Sequence, residues 1–180
     1  DRDIVFVARL VSDKGGDLLL RSVAELSSQG IRPSCTIIGD GEEKAPLEAM
    51  ARELGIESQV RFTGFMQGEA LHAEIAKHRI MAVPSRWKEP FGIVALEGIA
   101  AGCAVVGSSG GGLGDAIGPC GLTFENNDGA ALTDALEQLL THPGLIKRCC
   151  KQAAAHLDQF SVESQSNRYL EIFAKLIRKP

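Results

Sequence analysis

Arg9 and Lys14 stand five positions apart in ARLVSDKGGD, just ahead of Gly15 and Gly16. An arginine offers a planar fork of donors and a lysine a compact positive charge. A helix opening after the glycines adds free backbone amides at the positive end of its dipole. Such a set suits a diphosphate; the plainer alternative is two solvated cations beside Asp13 and Asp17. The second candidate is the run EPFGIVALE at residues 89–97. Pro90 biases Glu89 toward an extended backbone. Phe91 and Gly92 then open a helix whose first amides, at Gly92, Ile93 and Val94, lack intrahelical partners and can take an anion or a hydroxyl oxygen.

Glu97 is the single charged side chain within residues 91–114. In a helix beginning near Gly92 it shares a face with apolar neighbours, so a carboxylate there must find donors. A basic side chain, a neighbouring loop, or the adjacent hydroxyls of a ribose would each serve. Glu89 can address a ligand or simply be a carboxylate stabilised by a helix N-terminus. The triplet Gly39-Asp40-Gly41 allows close approach of a ligand or forms a tight turn. GxGxxG is absent from the first loop and GxxxxGK[ST] from the whole chain, which argues against an NAD-type dehydrogenase and a P-loop NTPase.

The elements that must position these residues follow from periodicity. Short β-branched or apolar runs at residues 4–8, 35–38, 60–63, 80–83, 104–106 and 122–124 read as buried strands. Helical spacing separates them, through Leu19, Val23 and Leu26 and then over residues 47–54, 71–75 and 93–100. Beyond the sixth strand the pattern is helical only: Leu132, Leu136, Leu139 and Leu140 share a face, followed by residues 146–157 and a final helix over 162–177. The alternation predicts a single α/β domain over residues 1–180. It is a Rossmann-like, doubly wound parallel sheet of about six strands, with helices on both faces and a helical C-terminus. Ligands of such sheets lie beyond the carboxyl ends of the strands, which points to residues 9–16, 39–42, 64–68, 84–92 and 107–114.

Composition narrows the function classes. With 44% apolar and 23% charged residues, the 180-residue chain has the balance of a soluble globular protein. A net charge of −4 gives no general attraction for nucleic acid or an anionic membrane surface. No run approaches the ~18 apolar residues of a membrane span, so no transmembrane segment is expected, and the N-terminus lacks the layout of a signal peptide. A cytoplasmic protein is expected. The five cysteines, Cys35, Cys103, Cys120, Cys149 and Cys150, have no metal-ligand spacing and read as ordinary reduced thiols.

Taken together, the motifs resemble the donor-binding, C-terminal half of retaining GT-B glycosyltransferases, in particular glycosyltransferase family 4 (glycosyl transferases group 1). The resemblance rests on R-x4-K at Arg9 and Lys14, GDG at residues 39–41, VRFTGF at 60–65, PSRWKEPFG at 84–92, EPFGIVALE with its E-x7-E spacing, and GCAVVGSSGGGLGDAI at 102–117. It departs from the family at Ala8, where glycine is usual, at Cys103-Ala104, and at Asp115, where glutamate is typical. The resemblance implies that Arg9 and Lys14 bind the donor diphosphate and that Glu97 takes the ribose hydroxyls. It assigns Glu89 and the amides after Phe91 (Gly92, Ile93 and Val94) to the transferred sugar. The base is expected against Gly64, Phe65 and Met66, with Leu71 nearby, and catalysis is assigned to Arg9, Lys14 and Glu89.

The same resemblance implies a nucleotide-sugar donor, an acceptor glycan, lipid or small molecule held by a separate N-terminal lobe, and no metal or other cofactor. The start on a strand without an initiating Met suggests an excised C-terminal domain, inactive alone, with its last helix near where the family's tail crosses to the other lobe. Two alternatives remain: a sugar-nucleotide epimerase on the same fold, or a non-catalytic nucleotide-sensing domain.

Overall fold

The computed structural model describes residues 2–177. Six strands, β1 (Arg2–Val7), β2 (Cys35–Ile38), β3 (Val60–Gly64), β4 (His78–Val83), β5 (Ala104–Ser108) and β6 (Gly121–Phe124), form one parallel sheet in the order β3-β2-β1-β4-β5-β6. All six runs expected from the sequence are strands. The first begins two residues earlier than apolarity indicates, because Arg2 pairs with His78 of β4, the neighbouring strand at the centre of the sheet.

The helices are α1 (Gly16–Ser28), α2 (Lys44–Glu53), α3 (Gly68–Ile75), α4 (Ile93–Ala100), α5 (Leu113–Ile117), α6 (Gly129–Thr141), α7 (Pro143–Lys151), α8 (Ala153–Asp158) and α9 (Val162–Ile177). Two points differ from expectation. A five-residue helix such as α5 is too short to display a periodicity, and it stands inside the glycine-rich stretch. The helical run expected over 146–157 is two helices, separated at Gln152.

Alternation along the strands sends successive side chains to opposite faces. Ile4, Phe6, Ile37, Ile80 and Val106 pack under α1, α2 and α6, with Leu19, Leu47 and Leu136 buried among them. Val5, Ile38, Met81 and Val105 face the other way, against Ile75, Ile99 and Ile117 of α3, α4 and α5. The helix that follows β1 therefore covers one face and the helix that follows β4 the other.

Within α9, Tyr169, Leu170, Ile172, Phe173 and Leu176 are each at least half exposed, so its apolar face is not part of the core. No helix among the described residues is long and apolar enough to cross a membrane. All five thiols are free. Burial pushes those of Cys35 and Cys103 up to about 12, which leaves them inert at neutral pH.

At the amino-terminal end of the sheet, the buried carboxylate of Glu74 is ringed by Arg2, Arg61 and Lys77. At the carboxyl end, backbone approaches backbone. Gly39 has φ +142°, and a Cβ there would lie 1.8 Å from the Ala8 carbonyl oxygen. Gly39→Ala is therefore expected to lower stability by about 2 kcal/mol or more, measured as a fall in the urea unfolding midpoint.

Candidate functional site

The sheet changes winding direction between β1 and β4, and the loops leaving these two strands separate above it. The first loop runs from Ala8 through a 3-10 turn at Ser12–Lys14 to Gly15, which takes the left-handed conformation (φ +71°) ahead of α1. A Cβ at Gly15 would stand 2.0 Å from the Pro84 carbonyl oxygen, so this loop lies directly against the loop after β4. On its other flank, Leu10 N–H donates to the Asp40 carbonyl at 2.8 Å and Glu43 N–H to the Leu10 carbonyl at 2.9 Å. The close approach made possible by Gly39-Asp40-Gly41 is used by the protein's own backbone, at Ala8 and Leu10. The triplet acts as a buttress for Arg9.

Between the loops lies an open cavity of about 420 Å³, walled by Arg9, Lys14, Ser85, Glu89, Phe91 and Ile93 among others. Gly92 and Val94 complete the wall, so the first turn of α4 faces the same space as the two cations. Arg9 is exposed and has no polar side-chain partner among the described residues. Lys14 is placed differently: its Nζ lies 2.5 Å from Glu89 Oε1. The Ser85 hydroxyl donates to the same oxygen at 2.7 Å. Burial works to raise the pKa of Glu89, but the Lys14 and Ser85 bonds outweigh it and hold the carboxyl below its ordinary value.

Lys14 pairs with neither Asp13 nor Asp17, whereas Arg9 stays a solvent-exposed cation, as the plainer reading had it. Asp17 is taken by Arg86, whose Nη1 and Nη2 each lie 2.7 Å from a carboxylate oxygen. That fork depresses the Asp17 pKa and raises that of Arg86. Arg86 also donates to the Ser12 carbonyl and to Asn127, while its own amide donates to the Asp13 carbonyl at 2.8 Å. The loop after β4 is therefore fastened to the turn that carries Lys14.

A second, more apolar cavity of about 480 Å³ opens on the far side of Arg9, which it shares with the first. Phe65, Met66 and Leu71 line it together with Gly39 and Asp40. Gly64 supports it from beneath, its carbonyl accepting the Gly39 amide at 2.9 Å. Glu97 has neither of the protein partners considered for it, a basic side chain or a neighbouring loop, among the described residues. It is only partly buried, and its side chain makes no hydrogen bond or ion pair among the described residues, although its backbone carbonyl accepts the Ala101 amide at 3.0 Å. It lies outside the walls of both cavities.

Of the residues singled out in the sequence, the cations and Glu89 line the first cavity and Glu97 does not; the contact between Lys14 and Glu89 and the roles of Ser85 and Arg86 were missed. The available signal was the loop PSRWKEPFG itself, with a hydroxyl four residues before the carboxylate. The geometry that remains is a cation pair and a helix start around one cavity, joined to an apolar slot: a container for a phosphorylated ligand with a flat apolar end.

Comparison with known proteins identifies the family. Residues 1–156 match the family described as glycosyl transferases group 1, and the chain belongs to it. It is 34% identical over 179 residues to a D-inositol 3-phosphate glycosyltransferase of Corynebacterium aurimucosum, covering 95% of this chain and 42% of that protein. It is also 34% identical over 148 residues to a GDP-mannose-dependent alpha-(1-6)-phosphatidylinositol monomannoside mannosyltransferase of Mycolicibacterium smegmatis, over 78% of this chain and 39% of the relative. Its fold is that of Anabaena Alr3699/HepE, solved with UDP, at TM-score 0.83 and 22% identity, over 97% of this chain and 49% of the other. A sucrose-phosphate synthase from Thermosynechococcus elongatus superposes equally well, at 26% identity over 98% and 46% of the two chains. The chain spans less than half the length of these relatives.

The Lys14–Glu89 contact carries a signed expectation. A carboxyl with a depressed folded pKa contributes stability that is present above its unfolded value and is lost as pH falls through the folded one. Lys14→Ala is expected to raise the Glu89 midpoint toward and beyond the ordinary value of 4.5, because burial is then less opposed. Carboxyl-carbon NMR titration, assigned with Glu89→Gln, reads this; an unchanged midpoint would remove the pair from the account.

Proposed function

We propose that this chain is the donor-binding lobe of a retaining glycosyltransferase. In this reading a sugar passes from a nucleoside diphosphate to an acceptor hydroxyl on a glycan, lipid or small molecule held by a second lobe. The observation that carries the reading is the convergence of Arg9, Lys14 and the first turn of α4 on one cavity at the switch point of the sheet. The relatives support the donor class: one is named for GDP-mannose dependence, and one structure of similar fold was solved with UDP.

Arg9 and Lys14 take the diphosphate, and the base occupies the slot of Phe65, Met66 and Leu71 above Gly64. Glu97, with no partner of its own among the described residues, takes the ribose hydroxyls. Before the donor arrives, Glu89 holds Lys14 at the cavity wall. On binding, the diphosphate competes for Lys14, and the carboxylate, with the amides of Gly92, Ile93 and Val94, turns to the sugar hydroxyls. The bond from the anomeric carbon to phosphate oxygen breaks while the acceptor oxygen bonds to the same face. The departing phosphate takes the acceptor's proton. Negative charge grows on that phosphate beside Arg9, Lys14 and the helix start, where one lost donor typically costs about 3 to 4 kcal/mol of barrier.

The positive groups already present meet this charge, so the proposed reaction uses no divalent metal. The exposed apolar face of α9 is read as the part that docks on the acceptor lobe. The protein is proposed to work in the cytoplasm. An epimerase would share the diphosphate site, and product analysis for an isomerised nucleotide sugar separates the two.

Alone, the chain is expected to bind a nucleoside diphosphate weakly and to transfer nothing, since the acceptor is then unpositioned. Calorimetry with UDP, GDP and ADP checks this, and absence of heat from all three at millimolar concentration would sink the site. With both lobes present, Lys14→Ala is expected to reduce turnover about a hundredfold or more, read by donor-consumption kinetics; near-normal turnover would strip Lys14 of its phosphate role.

A further inference from the structure

Three loops meet next to the backbone of Ser85 and Arg86, and one side chain joins them. Asn126, two residues past the end of β6, accepts the Gly110 amide on Oδ1 at 2.6 Å. Its Nδ2 donates to the carbonyls of Ser85 at 3.1 Å and Arg86 at 3.3 Å. From the loop after β6, it links the loop after β5 to the loop after β4. The tie is crowded as well as bonded, since a Cβ on Gly110 would lie 2.4 Å from Asn126 Oδ1.

Both residues whose carbonyls it holds have side chains at work around the cavity. Ser85 donates to Glu89 Oε1 at 2.7 Å, and Arg86 grips Asp17 just past the turn that carries Lys14. The loop after β5 also braces the backbone of Glu89 directly, with Gly112 N–H donating to its carbonyl at 2.8 Å. At the junction one group must accept from an amide while another donates to two carbonyls. A carboxamide does both; an aspartate would set a carboxylate oxygen against two carbonyl oxygens, and an apolar residue would serve neither side.

We propose that Asn126 is a positioning residue for Glu89: it fixes the backbone at Ser85 and Arg86, and so the hydroxyl and the lysine between which the carboxylate is held. This rests on the reading of Glu89 and Lys14 as part of a donor site, but it can be tested without a donor.

The test is the carboxyl-carbon NMR titration of Glu89 in Asn126→Ala, a neutral change that adds no charge near the carboxylate. The charged groups around it are Lys14, from the turn before α1, and Arg9, across the cavity. If Asn126 positions the Ser85 hydroxyl, the midpoint rises toward 4.5, and Ser85→Ala moves it in the same direction. A merely structural asparagine would lower the melting temperature and leave the midpoint of the folded variant unmoved, and that result overturns the proposal. Should Asn126→Ala fail to fold, Gly110→Ala displaces the same carboxamide by crowding and must give the same rise. Failure of UDP, GDP and ADP to bind the unaltered chain would overturn the donor-site reading without touching this link. An unmoved midpoint in a variant that folds would do the reverse.

Discussion

A parallel sheet wound in two directions from its centre cannot cover its own middle. The connection after β1 must leave toward one face and the connection after β4 toward the other, each to bury the apolar stripe of its helix. The gap this creates is a consequence of burial, and every feature of the site depends on it. Arg9 and Lys14 reach it because they follow β1, Ser85 and Glu89 because they follow β4, and the first turn of α4 because that helix starts where the second loop ends.

A gap of this kind is useful only if its walls hold their distance, and the structure does so with backbone contacts too close for any side chain. Gly15 lies against Pro84 on one flank, and Gly39 and Gly41 lie against Ala8 and Leu10 on the other. The Arg86–Asp17 fork adds a directional tie. A lysine at position 86 would keep the charge but not the two parallel bonds, so the loop could pivot. The walls are set by geometry first and by charge second.

Charge inside the gap is unevenly settled. Lys14 is held by Glu89, while Arg9 stands exposed at the boundary of two cavities, with no polar side-chain partner among the described residues. A partly buried ion pair returns little net stability, because desolvation offsets much of the attraction. Its effect here is positional: it keeps a flexible lysine at the wall, and it keeps the Glu89 carboxylate ionised and aimed into the cavity. The cavity thus holds one cation already paired and one exposed.

The sequence by itself determined the alternation of strand and helix, the six strands and the loops that wall the cavity. These follow from local periodicity and from the rule that ligands sit beyond strand ends, and the family resemblance in EPFGIVALE and R-x4-K came from the same residues. It could not decide which polar groups touch. Lys14 and Glu89, or Gly110 and Asn126, are brought together by the order of strands in the sheet, and that order leaves no trace in the spacing along the chain. Glu97 shows the converse. Its isolation among apolar residues called for donors, yet whether its side chain meets any within the protein depends on how α4 is rolled against β4 and α5, a matter of packing alone. Tertiary structure therefore left Glu97 without a partner among the described residues and gave Glu89, the less distinctive of the two in sequence, its lysine and its serine.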